Sequence, residues 1–286
     1  MVAAAVDAAV AGADYTNGFA PPGVAALAAF LGLVAVLGAA GWPREGLIPR
    51  WAVLTAGWCG CVLLVWSVGG IVFDGLRALA VLGVPGLPPV VDWAGFMTRA
   101  FALVADVLLA KTVLSYQRTS RAGCPRCGRI PAVAAPTGTW LGYAACLLAL
   151  PYPLLKVYWS MGGTVAGSVV AATSVEGFPI GEIVIFSMVG LLALALVQRW
   201  GRVFPRWTLL GGGWTATGAL VTMGALAGFG SLAQALGLVD GPAHLAGAGW
   251  VVSVVYGSWL LLGVALGGAV VSYQRRTRRR CGRCGG

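Results

Sequence analysis

The 286-residue chain is 59% hydrophobic and 10% charged, and its mean hydropathy is +0.86. Soluble domains are about 45–50% apolar and about 25% charged, so this composition excludes an ordinary soluble domain. The formal net charge is +10, but the basic residues adjoin the ends of apolar segments, where anionic lipid headgroups are the expected counter-charge. The sequence therefore predicts a multi-pass protein of the cell membrane that binds no nucleic acid.

Seven apolar segments are each close to the roughly 20 residues that a helix needs to cross a bilayer. They are predicted at 22–42, 52–73, 93–116, 138–159, 178–198, 208–231 and 248–272. The expected fold class is an all-α membrane protein, a bundle of seven transmembrane helices. Residues 1–21 are predicted as an extracellular tail, 22–273 as the transmembrane domain, and 274–286 as a basic, cysteine-rich cytoplasmic tail.

The basic residues predict the orientation, because most of them fall in every second loop. Fifteen of the nineteen form four clusters: Arg44 and Arg50; Arg118, Arg121, Arg126 and Arg129; Arg199, Arg202 and Arg206; Arg275, Arg276, Arg278, Arg279, Arg280 and Arg283. Cytoplasmic loops of membrane proteins carry an excess of Lys and Arg. We therefore expect these four clusters inside, the N-terminus outside and the C-terminus in the cytoplasm.

Two motifs recur and predict an internal parallel repeat, with units at about 22–118 and 178–275. Pro-Arg-Trp at 49–51 returns at 205–207, and Ser-Tyr-Gln-Arg at 115–118 returns at 272–275. Repeats in membrane proteins often have a site between the two halves. Duplication followed by drift would leave no such site, and both interpretations stay open.

A shorter repeated motif ends two of the predicted spans at the outer face. Trp-Ser-Val-Gly-Gly at 66–70 ends the second span, and Trp-Ser-Met-Gly-Gly at 159–163 ends the fourth. Paired glycines permit a left-handed turn at a helix end, and Trp favours the headgroup region. The string Tyr-Trp-x-x-Gly-Gly at 158–163 resembles a motif of uncharacterised multi-pass membrane proteins of actinobacteria. The resemblance implies a membrane setting and no particular activity.

Two Cys-x-x-Cys-Gly motifs indicate a metal site. Cys124 and Cys127 follow the third span, and Cys281 and Cys284 lie near the end of the sequence. They resemble the knuckles of zinc ribbons and rubredoxin-like sites, and four thiolates are a common ligand set for structural Zn²⁺. We expect one zinc ion bound by all four. Redox pairs, zinc sites between two chains, and no ligand at all are the alternatives.

Polar groups inside the predicted spans are the other candidates for a site, since charges at depth usually face a bundle interior or a wet cavity. These are Arg99, Asp106, Lys156 and Glu182, with Asp74 and Arg77 just beyond the second span. Arg99 and Asp106 share one helix face, and Pro151 and Pro153 should kink the fourth span beside Lys156. Asp106 is expected in a buried ion pair with Arg99 or Lys156, or else in a solute or proton site.

The absence of common catalytic motifs points away from an enzyme. The sequence has one histidine, and it has no phosphate-binding loop, nucleophile elbow or zinc-protease motif. The expected function is a non-enzymatic structural or regulatory role, with the zinc-knuckle cytoplasmic face engaging anionic lipid headgroups or a soluble partner. The first alternative is a small-solute or proton-coupled transporter that uses the intramembrane polar residues. The second is a membrane thiol oxidoreductase that uses the Cys-x-x-Cys pairs.

Overall fold

The computed structural model describes residues 20–21, 23–41, 49–83, 91–120, 138–164, 179–239 and 249–277. All regular secondary structure in these ranges is helical, which confirms the predicted all-α class. Six segments are long and apolar enough to cross a membrane: Val24–Gly41, Arg50–Val81, Thr139–Ser160, Ile180–Val197, Arg206–Ala235 and Gly257–Arg276. The chain is therefore a helical multi-pass membrane protein. The third predicted span is a helix that is not among these six.

The helices belong to two compact units. The first unit contains α1 (Val24–Gly41), α2 (Arg50–Ser67), α3 (Ile71–Val81) and α4 (Trp93–Thr119). The second contains α5 (Thr139–Leu148), α6 (Pro151–Ser160), α7 (Ile180–Val197), a 3₁₀ turn (Trp200–Val203), α8 (Arg206–Ala235) and α9 (Gly249–Arg276).

Small residues bring the helices of the first unit together. Gly57 on α2 lies against Val113 on α4 so closely that a Cβ atom would overlap the valine side chain. Ala35 on α1 would lie 3.4 Å from the same Cβ position. Around this contact Cys61, Leu109 and Val113 are buried with Ala35. Because lipid chains are as apolar as these side chains, close backbone packing rather than the hydrophobic effect drives such helices together.

The second unit is built on the long helices α8 and α9, of 30 and 28 residues. A Cβ atom on Gly224 of α8 would lie 2.7 Å from the Cα atom of Leu260 on α9. Leu262 and Leu266 of α9 are fully buried in the core between the helices of this unit. Glycine in α8 thus permits a backbone contact that any larger residue would push apart.

The second predicted span, 52–73, ends earlier than expected and is followed by a separate helix. Val68 to Gly70 form a turn, and Gly70 has a φ of 89°, in the left-handed region that glycine adopts without strain. The helix α3 that follows has 11 residues, about 16 Å, and is too short to cross a bilayer alone. The predicted left-handed turn is confirmed, and it separates two helices.

The predicted kink in the fourth span lies at a short interruption of the helix, where Ala149 and Leu150 keep α-helical backbone angles. α5 ends at Leu148, and α6 begins at Pro151 after a two-residue turn. Pro151 is tolerated there because the first N–H groups of a helix have no partner within it. At the other end of α6, Gly162 has a φ of 88°, and the Gly163 N–H donates to the Tyr158 carbonyl at 3.0 Å. This second glycine pair also forms the left-handed turn expected of it.

Candidate functional site: buried charges and a basic cleft

Arg99 forms a buried ion pair in the first unit, between α3 and α4. Its Nε and Nη2 donate to the two carboxylate oxygens of Asp74 at 2.5 and 3.0 Å. Both residues are almost inaccessible, Asp74 at 1% and Arg99 at 6% exposure. Nη2 also lies 3.8 Å from Asp92, the residue that caps the start of α4 by accepting from the Gly95 N–H. The two-pronged geometry neutralises the guanidinium and fixes α3 on α4.

The prediction that Arg99 pairs with Asp106 is therefore wrong, because Arg99 pairs with Asp74. Seven residues of helix separate the two by about 10 Å along the axis, well beyond the 4 Å of a salt bridge. A shared helix face does not bring the two charges into contact, and the partner comes from α3.

Asp106 is half-buried where α2 faces α4. Its carboxyl lies against the Cys61 thiol of α2, and its Oδ1 is buried with no hydrogen-bond partner among the described residues. A carboxylate inside a membrane protein is costly unless it is paired or wetted. Asp106 is thus the least satisfied of the four predicted polar candidates.

Lys156 and Glu182 meet in the second unit, between α6 and α7. The Lys156 Nζ lies 3.9 Å from Glu182 Oε1, with side-chain exposures of 12% and 32%. The ammonium is also 5.8 Å from the ring centres of Tyr152 and Trp159. Aromatic faces attract a cation at this distance. The alternative prediction, that Lys156 pairs with Asp106, is wrong because Lys156 pairs with Glu182.

A basic cleft of about 480 Å³ lies where α7, the 3₁₀ turn, α8 and α9 meet. Four arginines border it: Arg199, Arg202, Arg206 and Arg276. The first three form one of the clusters visible in the sequence. Arg276 comes from the end of α9, and its contribution was not predicted because nothing in the local sequence relates it to residues near 200. We call this feature the basic cleft.

The walls of the basic cleft are set by backbone packing. α7 ends at Val197, and the 3₁₀ turn folds back so tightly that a Cβ atom on Gly201 would overlap the Ala195 carbonyl. Arg276 Nη2 donates to the Leu196 carbonyl at 2.8 Å, and Arg206 Nε donates to Thr277 Oγ1 at 3.0 Å. These bonds tie the end of α9 to the end of α7 and the start of α8.

The four predicted zinc ligands, Cys124, Cys127, Cys281 and Cys284, lie outside the described residues. In the ranges that the structure describes, no group of three or more His, Cys, Asp or Glu side chains is placed to hold a metal. α4 ends at Thr119 and α9 ends at Arg276. The first cysteine of each pair therefore follows its helix by the same five residues.

No protein family, curated protein or solved structure matches the chain. The class of protein consequently rests on the fold alone, which is that of a helical multi-pass membrane protein.

Proposed function

We propose that the chain is a seven-span membrane protein with a non-enzymatic, structural or regulatory role, its N-terminus outside and its C-terminus in the cytoplasm. One observation carries this proposal: the most deeply buried charges in the described ranges, Arg99 and Asp74, bond directly to each other. A pair held in this way fixes two helices and exposes neither charge to a passing solute. The pair of Lys156 and Glu182 supports the same interpretation in the second unit.

The seventh span in this proposal is α4. Its 27 residues would extend about 40 Å, enough to cross a bilayer core of about 30 Å. α4 contains Arg99, Asp106, Lys111 and Arg118. The bond to Asp74 offsets the cost of Arg99, and Arg118 lies in the last turn, where it can reach the headgroups.

Packing within each unit supports the proposed repeat. α2 and α8 both begin at an arginine after a proline of similar backbone conformation, with ψ of 142° at Pro49 and 138° at Pro205. The contact of Gly57 with Val113 in the first unit has a counterpart in the second, where a Cβ atom on Gly213 would lie 2.6 Å from Val270. The glycines are 156 residues apart and the valines 157, the same offsets as the sequence motifs.

The proposed orientation is supported by the helix ends at the basic cleft. The end of α7, the start of α8 and the end of α9 border it together, as consecutive crossings of alternating direction require. Arginines at such a face favour the cytoplasmic side. We propose that this face engages anionic lipid headgroups. We also propose that Cys124, Cys127, Cys281 and Cys284 bind one structural Zn²⁺, with Cys281 and Cys284 a few residues beyond Arg276 of the cleft.

A transporter is the second candidate, because Asp106 keeps a buried carboxylate oxygen without a hydrogen-bond partner in the described part of the chain. Such a group at depth is a common feature of proton and solute pathways. The two candidate functions differ in the role of Asp106. A transporter needs its carboxyl to exchange a proton or to bind the solute in each cycle, whereas a structural role does not.

A flux measurement separates these functions. Full-length protein in proteoliposomes that contain a pH-sensitive dye would be given a pH gradient, with empty liposomes beside it. The structural role predicts the same proton leak in both. Protein-dependent flux that Asp106→Asn abolishes would overturn the proposal and establish transport. Lys111→Gln is the matched control, because Lys111 is an exposed charge on the same helix.

A further inference from the structure

We propose that the basic cleft binds the phosphodiester group of one anionic phospholipid between α7, α8 and α9. This inference rests on the proposed function, since it needs the cleft to face the headgroups of a leaflet. It goes further by assigning the attraction to one built site rather than to the general positive charge of that face.

Charge is the first argument for the site. Four arginines border the cleft, and its lining contains no Asp or Glu. The ends of α7 and α9 each contribute about half a negative charge from unpaired carbonyl groups, and the start of α8 contributes about half a positive charge. These partial charges are far smaller than those of four guanidinium groups, so the cleft stays strongly positive. Basic pockets between membrane helices are known to bind phospholipid headgroups.

Prearranged donors are the second argument. Arg206 and Arg276 are held by bonds to Thr277 and to the Leu196 carbonyl, and each bond uses one of the five N–H donors of its guanidinium. Arg199 and Arg202 are exposed and form no salt bridge with any described residue. A planar guanidinium can bind two phosphate oxygens at once, which Lys cannot do. Two fixed and two adaptable arginines thus surround a space whose volume lies within the usual range for small-ligand sites.

The surroundings favour a lipid over a soluble phosphate. Exposed apolar side chains adjoin the arginines along the 3₁₀ turn and the start of α8: Trp200, Val203, Phe204 and Trp207, with exposures of 43%, 84%, 48% and 76%. Trp is enriched at the membrane interface because its ring is amphipathic. Side chains of this kind would lie among the acyl chains while the arginines reach the phosphate. A soluble anion would gain nothing from them.

The test is a lipid titration of the full-length protein in detergent, read by native mass spectrometry. Short-chain phosphatidylglycerol is compared with phosphatidylcholine and with soluble glycerol phosphate. The double variant Arg199→Gln/Arg202→Gln should bind phosphatidylglycerol about thirtyfold more weakly, which is about 2 kcal/mol for two lost charges. Arg199→Lys/Arg202→Lys keeps the charge and should lose only a few-fold.

The matched control is Arg118→Gln/Arg275→Gln, which removes two exposed charges that also lie near helix ends but are not among the residues lining the cleft. It should bind phosphatidylglycerol within about threefold of the parent. Equal loss in both glutamine variants would mean a diffuse attraction and would overturn the site. Glycerol phosphate binding as tightly as phosphatidylglycerol would overturn the lipid assignment.

Gel filtration identifies variants that do not fold. If the glutamine pair is not monodisperse, Arg202→Gln alone should weaken binding about fivefold, and no change in affinity would refute the site. The outcome is distinguishable from failure of the proposed function. A reversed orientation appears in labelling of intact cells and transport appears as flux, whereas a wrong cleft assignment appears only in this titration.

Discussion

Removing both partners of the pair between Arg99 and Asp74 should destabilise the protein much less than the sum of the two single removals. Breaking a buried ion pair from one side costs about 3–5 kcal/mol, because the other charge stays buried and unpaired. Arg99→Gln leaves Asp74 at 1% exposure with no guanidinium, and we expect a loss of about 3 kcal/mol. Asp74→Asn should cost less, about 2 kcal/mol, because Asp92 is 3.8 Å from Nη2 and can take over part of the charge.

The double variant Asp74→Asn/Arg99→Gln replaces two charges by two amides that can bond to each other. We expect it to lose about 2 kcal/mol, which gives a coupling free energy of about 3 kcal/mol between the two positions. The assay is reversible unfolding in mixed micelles with increasing SDS, followed by circular dichroism. Additive losses would refute the interpretation of a coupled structural pair. A larger loss from Asp74→Asn than from Arg99→Gln would refute the supporting role of Asp92.

Three further predictions test the proposed architecture and metal site. In intact cells, a membrane-impermeant thiol reagent should label Asn17→Cys and leave Thr277→Cys unlabelled, and the opposite pattern would reverse the orientation. Purified protein should contain about one equivalent of zinc, and Cys281→Ser should lower it; less than about half an equivalent, unchanged by the substitution, would end the zinc proposal. Gly224→Ala should destabilise the second unit by about 1–3 kcal/mol through overpacking against α9, while Gly218→Ala, with open space at its Cβ position, should cost nothing.

Span positions were predictable from hydropathy where a helix ends at a local signal. The predicted span 178–198 is close to α7, Ile180–Val197, because Pro179 precedes it and the chain becomes extended at Gln198. The second span was not predictable to the same degree. Its Gly-Gly pair indicated a turn, but the apolar residues beyond Gly70 continue the hydropathy signal into α3. Hydropathy reports composition and does not register a turn between two apolar helices.

The candidate residues could be identified from the sequence, but most of the residues that they contact could not. Arg99 was identified because a charge within an apolar segment is unusual, whereas its partner Asp74 is 25 residues away on another helix. Lys156 and Glu182 were identified in the same way, but their contact with each other was not predicted. The basic cleft depends on Arg276 folding onto the end of α7, a tertiary contact over 80 residues. Periodicity and spacing describe one helix at a time, so they do not predict which residues of different helices are in contact.

The glycine contact in each unit also bears on the order in which the chain is assembled. Gly57 and Val113 are both synthesised before any residue of the second unit, and Gly213 and Val270 belong entirely to the later half. Domains generally fold as units during synthesis, the N-terminal one first. The helix contact of the first unit can therefore form in the bilayer while the ribosome is still making the second unit. Each half of the chain thus has a glycine contact of its own that brings its helices together. Misfolding of the later half would leave the contact of Gly57 with Val113 already formed.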